Sequence, residues 1–291
     1  MGGRSFTVEP LPASFGARVS GVRLASLSDT DLAQVREAWF EFGLLIFPDQ
    51  GLNRDEQVAL ARRFGPLVFD LLEISNTWPD GSVRPADDAV VRAFETNKYW
   101  HQDNTYQPVQ ALGAVFSALT VPPQGGETAF ADLAAAWDAL APAEQRRLEG
   151  LTALHSVRLN PQNARKGEAG PEARLTDLQG GTAARRRPLL KIHPVTGRKC
   201  LAVGRHAYAL EGWPQDSARA LLDQLTEQAC QPPRVWAHRW TAGDAVLWDN
   251  IRLAHRALPW DMSQPRVMWQ SRIAGDPATE GSEAVDAELA G

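Results

Sequence analysis

Residues 99–108 read YWHQDNTYQP, which sets His101 and Asp103 two apart among aromatic and polar side chains. In an extended strand, residues i and i+2 point to the same face. This stretch is therefore expected to aim an imidazole and a carboxylate at one point. Two imidazoles and one carboxylate on one face of a metal leave three adjacent coordination positions open, the arrangement of non-haem Fe(II) oxygenases. A third ligand must come from elsewhere in the chain. A late stretch supplies a candidate: GDAVLWDNIRLAHRALPWD reads as a buried strand running into a turn, followed by His255. Asp249 and Asn250, just after that strand, are expected to brace the turn.

The surrounding pattern favours a mainly β fold with flanking helices. SFTVEPL, FGARVSGVRL and GLLIFPDQ read as strands. SLSDTDLAQVREAWFEF reads as a capped helix with Leu32, Val35, Trp39 and Phe42 on one stripe, and LNRDEQVALARRFGPL as a second helix closed by Gly65. LAAAWDALAPAEQRRLEGL and SARALLDQLTEQAC are also helical in pattern. From ALGAVFSALTVPPQGGETAFADL onward, strand-like stretches alternate with turn signals such as PPQGG and HPVTGRK. No regular alternation of strand and helix supports a doubly wound sheet, so a β-sandwich or barrel with flanking helices is expected. The 291 residues, 44% of them hydrophobic, suit one domain over 1–291, with lid or insert loops at 70–98 and 160–188.

Composition narrows the partners. A net charge of −5 gives no polyanion-binding surface, and the short basic run ARRRP (184–188) reads as a solvated loop. No nucleic acid and no membrane partner is expected: no apolar run approaches a membrane span and no signal peptide is seen. Two cysteines, Cys200 and Cys230, without a CxxC pattern, suit a reducing, cytoplasmic setting. A homo-oligomer is compatible with such a chain.

WHQD, GGETAFADL, LHSVR, HPVTGRKCLAVG, GDAVLWDNIRLAHRALPWD and PRVMWQSRIAGD together resemble the taurine/2-oxoglutarate dioxygenase (TauD/TfdA) family over nearly the whole chain. GAVFSA, GRHAYAL and RVMWQSR resemble its aryloxyalkanoate branch most. The resemblance implies a double-stranded β-helix (jelly-roll) core, an Fe(II) cofactor held by His101, Asp103 and His255, and 2-oxoglutarate and O₂ as co-substrates. It implies that Arg266, eleven residues beyond His255, takes the distal carboxylate of 2-oxoglutarate, that Thr128 adds a hydroxyl to it, and that Asn97 lies nearby. Arginine suits the first role because its fork is always charged and bidentate. The implied reaction hydroxylates a small organic acid, or cleaves an aryloxyalkanoate ether, and releases succinate and CO₂. Asp103 stands where related halogenases carry a small residue, so halogenation is not expected.

The chain departs from the taurine enzymes at Gln270, where they place a sulfonate-binding arginine. Arg272 shares a strand face with Arg266 and Gln270, and is either a displaced anion contact or a solvated residue at the barrel rim. His206 and Tyr208, in VGRHAYAL, fall on the pocket-lining stretch. His206 or Arg205 is expected to reach a substrate carboxylate, but by strand alternation not both. Asp70 and Glu73 lie near the segment where polar substrate contacts occur in relatives, but read first as a solvated loop face. Trp100 reads as core. Other readings of the same residues are a hydroxylase or desaturase of an amino acid or natural-product intermediate, a zinc hydrolase, and a non-catalytic jelly-roll binding protein.

Overall fold

The computed structural model describes residues 5–157 and 183–285. The chain opens with β1 (Thr7–Pro10), β2 (Ala17–Ser20), α1 (Asp29–Phe42), β3 (Leu44–Phe47), α2 (Arg54–Phe64) and β4 (Leu67–Ser75). After α3 (Ala89–Phe94) come β5 (Ala111–Thr120), β6 (Thr128–Asp132), α4 (Leu133–Asp138) and α5 (Pro142–Leu148). Then β7 (Thr152–His155), β8 (Ala184–Pro188), β9 (Leu190–Ile192), β10 (Lys199–Leu201) and β11 (Ala207–Leu210) lead to α6 (Gln215–Ala229). The last elements are β12 (Val235–His238), β13 (Ala245–Asp249), β14 (Leu253–Ala257), β15 (Val267–Ala274), α7 (Pro277–Glu280) and β16 (Glu283–Val285).

A seven-stranded sheet in the order β1-β2-β3-β13-β5-β15-β4 dominates. Smaller sheets run β12-β6-β14, β11-β7-β8-β16 and β10-β9. Residues far apart in sequence thus become neighbours: β13 lies antiparallel between β3 and β5, and β15 between β5 and β4.

Local signals explain the early elements. Ser28 caps α1 by accepting from Asp31 N, and Asn53 and Glu56 form a reciprocal capping box on α2. Such a cap contributes about 1 kcal/mol. Val35 and Trp39 of the α1 stripe are fully buried, whereas Leu32 and Phe42 are half-buried at its edge. Trp39 fits beneath β5 because Gly113 has no side chain; a Cβ there would lie 2.4 Å from the indole.

Four expectations need correction. The proposed loop at 70–98 begins inside β4 and ends in α3 and a 3-10 turn (Glu95–Lys98), leaving only 76–88 irregular. There Arg84 stacks on Trp78 at 3.8 Å. The segment at 160–188 lies outside the described residues up to 182, and its end is β8 rather than a loop. The basic run ARRRP is not solvated: Arg185 and Arg187 are buried. Arg187 donates to the carbonyls of Thr105 (2.6 Å), Gln107 (2.7 Å) and Glu280 (3.0 Å), so it works as a backbone clamp. The helical stretch after β6 is two helices, because Pro142 starts α5 afresh at its first turn. Among the described residues, no helix is long and apolar enough to cross a membrane.

Candidate active site

His101 is not in a regular strand. It forms an isolated antiparallel bridge with His255 of β14, with His101 N donating to His255 O (3.0 Å) and His255 N to His101 O (2.8 Å). The chain then turns at once, and Asn104 adopts φ 59°. Pairing across the bridge, rather than strand alternation, brings the imidazoles together, with ring centroids 4.3 Å apart. Asp103 reaches the same point from the turn. One ligating atom from each of His101, Asp103 and His255 lies within 4.8 Å of the others, and all three residues are buried.

The protonation states suit ligation. His101 Nδ1 sits 2.8 Å from the Tyr99 carbonyl, which places the hydrogen on Nδ1 and leaves the Nε2 lone pair facing Asp103. Burial, with Arg205 nearby, lowers the His101 pKa to about 3, so the ring is neutral. Burial would raise the Asp103 carboxyl, but Arg272 above all outweighs it and holds the pKa at about 2. A neutral His101 imidazole, the His255 imidazole and an ionised carboxylate, with donor atoms within 4.8 Å of one another, fit a divalent metal.

The turn after β13 holds this constellation in place. Asp249 Oδ1 braces its own turn by accepting from Ile251 N (2.9 Å) and Arg252 N (3.0 Å), as expected, and its Oδ2 meets His193 Nε2 at 2.8 Å. Asn250 instead reaches across the molecule. Its Oδ1 accepts from Asp103 N (2.7 Å), and its Nδ2 donates to Asp103 O and Ala111 O (both 2.9 Å). Gln102 Nε2 donates to the carbonyls of Asn250 and Ile251, both at 2.9 Å. Sequence patterning marked Asn250 but not its long-range target. Asn250→Ala is expected to cost about 3 kcal/mol, because three buried backbone groups lose their partner. Denaturant unfolding measures this, and a loss below about 1 kcal/mol would show that water replaces the amide. Gly204, also missed, lets the chain pass over His101: a Cβ there would meet Trp100 O at 2.7 Å.

Arg266 lies at the head of β15 and is buried. Its Nε donates to Gly126 O (3.3 Å), its N–H donates to Asn76 Oδ1 (2.7 Å), and its guanidinium lies 5.2 Å from the Trp260 ring. No acidic side chain pairs with it among the described residues, and burial lowers its pKa to about 10. A buried cation without a counter-ion fits an anionic ligand. Gly126 is two residues from Thr128, whose Oγ1 accepts from Trp240 Nε1 (3.0 Å). Asn97 is half-buried in the 3-10 turn before His101.

The remaining residues fall partly as expected and partly not. His206 and Arg205 are both buried, because Gly204–His206 is a turn and strand alternation does not apply. Arg205 Nε donates to His206 Nε2 (3.3 Å), which puts the His206 hydrogen on Nδ1. The His206 ring lies 5.9 Å from His101 and 4.6 Å from Tyr106, and burial lowers its pKa well below the usual value. Arg272 is not at a solvated rim. It is buried and pairs with Asp103 Oδ2 at 2.9 Å, while Gln270 Nε2 donates to the same oxygen at 3.0 Å. Asp70 is outside the site: it pairs with Arg62 of α2 at 2.8 Å on the surface. A β-bulge between the pairs Gln270↔Leu72 and Arg272↔Phe69 resets the alternation of β4 there. Glu73 accepts from Trp269 Nε1 at 3.4 Å in an exposed contact. Trp100 is half-buried under Arg256, whose guanidinium lies 4.6 Å from its ring.

Comparison with known proteins identifies the family. The family profile "Taurine catabolism dioxygenase TauD, TfdA family" matches residues 7–272. The chain belongs to this family. It is 50% identical to an (S)-phenoxypropionate/alpha-ketoglutarate-dioxygenase of Sphingobium herbicidovorans, over 95% of this chain and 97% of the relative. It is 35% identical to an alpha-ketoglutarate-dependent 2,4-dichlorophenoxyacetate dioxygenase of Cupriavidus pinatubonensis, over 94% and 99%. The crystal structure of AAD-2 in complex with Mn(II) and N-oxalylglycine superposes with a TM-score of 0.85 at 32% identity, covering 96% of this chain and 99% of that one. This TauD/TfdA member therefore has the jelly-roll core and is an Fe(II)- and 2-oxoglutarate-dependent dioxygenase, an oxidoreductase.

Proposed function

We propose that His101, Asp103 and His255 hold Fe(II), that Arg266 and the Thr128 hydroxyl bind the distal carboxylate of 2-oxoglutarate, with Asn97 beside it, and that the substrate is an aryloxyalkanoic acid. The observation that carries the site assignment is the convergence of the three donor atoms within 4.8 Å. When bound, Fe(II) with 2-oxoglutarate supplies the oxidising chemistry that turns 2-oxoglutarate and O₂ into succinate and CO₂ while a substrate C–H is oxygenated.

The chain's own residues fix, orient and exclude water. Tyr99 O and Asn250 hold the HxD turn, Arg266 fixes one end of 2-oxoglutarate, and buried Phe130 and Trp248 pack beside His255. The His206 Nδ1–H and the Arg205 guanidinium are the donors suited to a substrate carboxylate on the His101 side. Hydroxylation of the carbon between the ether oxygen and the carboxylate gives a hemiacetal or hemiketal, which collapses to a phenol and a 2-oxo acid. The 50% identity to an (S)-phenoxypropionate enzyme supports (S)-2-aryloxypropionates as the first candidates. One catalytic domain over 1–291 in the cytoplasm suits this reading, since both cysteines are free thiols.

The test is a panel of (R)- and (S)-aryloxypropionates, aryloxyacetates, alkyl sulfates, taurine and amino acids, scored by succinate release coupled to product. An (S)-aryloxypropionate is expected to lead taurine by at least about 100-fold in kcat/KM, about 2.7 kcal/mol of transition-state binding. His206→Ala should raise the substrate KM by about 10–100-fold, the loss of one charge-assisted hydrogen bond. Strong coupling with taurine, or none with any aryloxy acid, would overturn the substrate assignment.

A further inference from the structure

The two oxygens of Asp103 have different surroundings. Oδ1 faces the imidazoles, 3.9 Å from His101 Nε2 and 3.8 Å from His255 Nε2. Oδ2 takes a hydrogen bond from Gln270 Nε2 at 3.0 Å and an ion pair from Arg272 Nη2 at 2.9 Å. Arg272 Nη2 also donates to Gln270 Oε1 at 2.9 Å, which closes a triangle of side chains, and its Nη1 donates to Asn104 Oδ1. Both residues stand on β15, an interior strand held by β5 on one side and β4 on the other. The triangle is therefore fixed by the sheet and not by a loop.

We infer that Arg272 and Gln270 are positioning residues for the metal: they hold Oδ2 of Asp103, so that Oδ1 is the oxygen presented with the two imidazoles. An unrestrained carboxylate can turn either oxygen, or both, toward a cation. Holding one oxygen in hydrogen bonds removes that freedom and keeps a coordination position available for the co-substrates. Arg272 does more than a neutral donor, because its contact with Asn104 also fixes the turn that follows Asp103. The inference rests on the assignment of Asp103 as a metal ligand.

The experiment measures Mn(II) binding to the purified full chain by the loss of the free-ion EPR signal, with the spectrum of the bound ion recorded alongside. Arg272→Leu is expected to weaken Mn(II) by about 10–100-fold and to broaden or shift the bound spectrum, with Gln270→Leu at the lower end of that range. Arg272→Lys should recover most of the affinity, because an ammonium can reach Oδ2, but not the wild-type spectrum, because it lacks the fork to Asn104. If Arg272→Leu does not fold, Arg272→Lys and Gln270→Leu carry the test. Wild-type affinity and spectrum in folded Arg272→Lys and Gln270→Leu would overturn the inference, above all if only the organic-substrate KM rises in the Arg272 variant. Asp103→Asn serves as the separate check: unchanged Mn(II) binding there would remove the ligand assignment itself, whereas loss there with retention in the Arg272 and Gln270 variants would remove only the positioning role.

Discussion

Alanine at His101 or His255, and asparagine at Asp103, should each abolish turnover while the fold remains. Each residue supplies one of three converging donor atoms, and no other described His, Cys, Asp or Glu forms such a group with them. Losing one ligand removes several kcal/mol of metal binding, so activity should fall by at least about 10³-fold. The three changes are not equivalent for stability. His101 contributes its backbone to the bridge with His255, and both imidazoles can be removed without breaking that pairing. Asp103 is different, because its carboxylate faces the buried Arg272 guanidinium. Asp103→Ala strands that charge and should lose about 3–5 kcal/mol of stability, whereas Asp103→Asn keeps an acceptor for Arg272 and Gln270. The checks are succinate release from 2-oxoglutarate with Fe(II), metal stoichiometry, and thermal unfolding. Near-normal activity and metal content in any one variant would take that residue out of the site.

Arg266→Ala should weaken 2-oxoglutarate by a factor of hundreds or more, which corresponds to about 3–5 kcal/mol for a buried charge-assisted pair. The geometry adds a sign that the sequence could not supply. Because no acid pairs with Arg266 among the described residues, the protein without co-substrate bears an uncompensated buried cation. Arg266→Ala should therefore leave the stability of the unliganded protein unchanged or raised. 2-Oxoglutarate binds the native state only, so saturating it with Mn(II) should raise the wild-type melting temperature but not the variant's. Titration of 2-oxoglutarate against Mn(II)-loaded protein gives the affinity, and melting curves give the stability. An unchanged affinity, or a variant stabilised as strongly as wild type, would assign the buried guanidinium to another ligand.

Much of this was legible in the residues themselves. The capped start of the first helix at Ser28 and the buried face at Val35 and Trp39 are local, because an N-cap hydrogen bond spans three residues and a helical stripe repeats within one element. His101, Asp103, His255 and Arg266 stood out because their chemistry is scarce and their order along the chain matches a family pattern; the structure brings the first three together and buries the fourth. Other features were hidden by long-range pairing. Strand alternation was the wrong reason for the convergence of His101 and Asp103, which arises from a cross-chain bridge and a turn. The ARRRP run read as solvated because charge alone does not show that three carbonyls await Arg187.

The division between sequence and tertiary structure is sharpest on β4 and β15. By itself the sequence determined that two histidines, an aspartate and an arginine in a family order, and a mainly β scaffold, were present, since these depend on which side chains exist and how they repeat. Only the tertiary structure decided the use of the neighbouring polar residues. One bulge in β4 turned Asp70 out to Arg62, and the packing of β15 beneath the HxD turn gave Arg272 and Gln270 to Asp103. A shift of one residue in strand register reverses which face a side chain occupies, and that register is set by partners more than a hundred residues away.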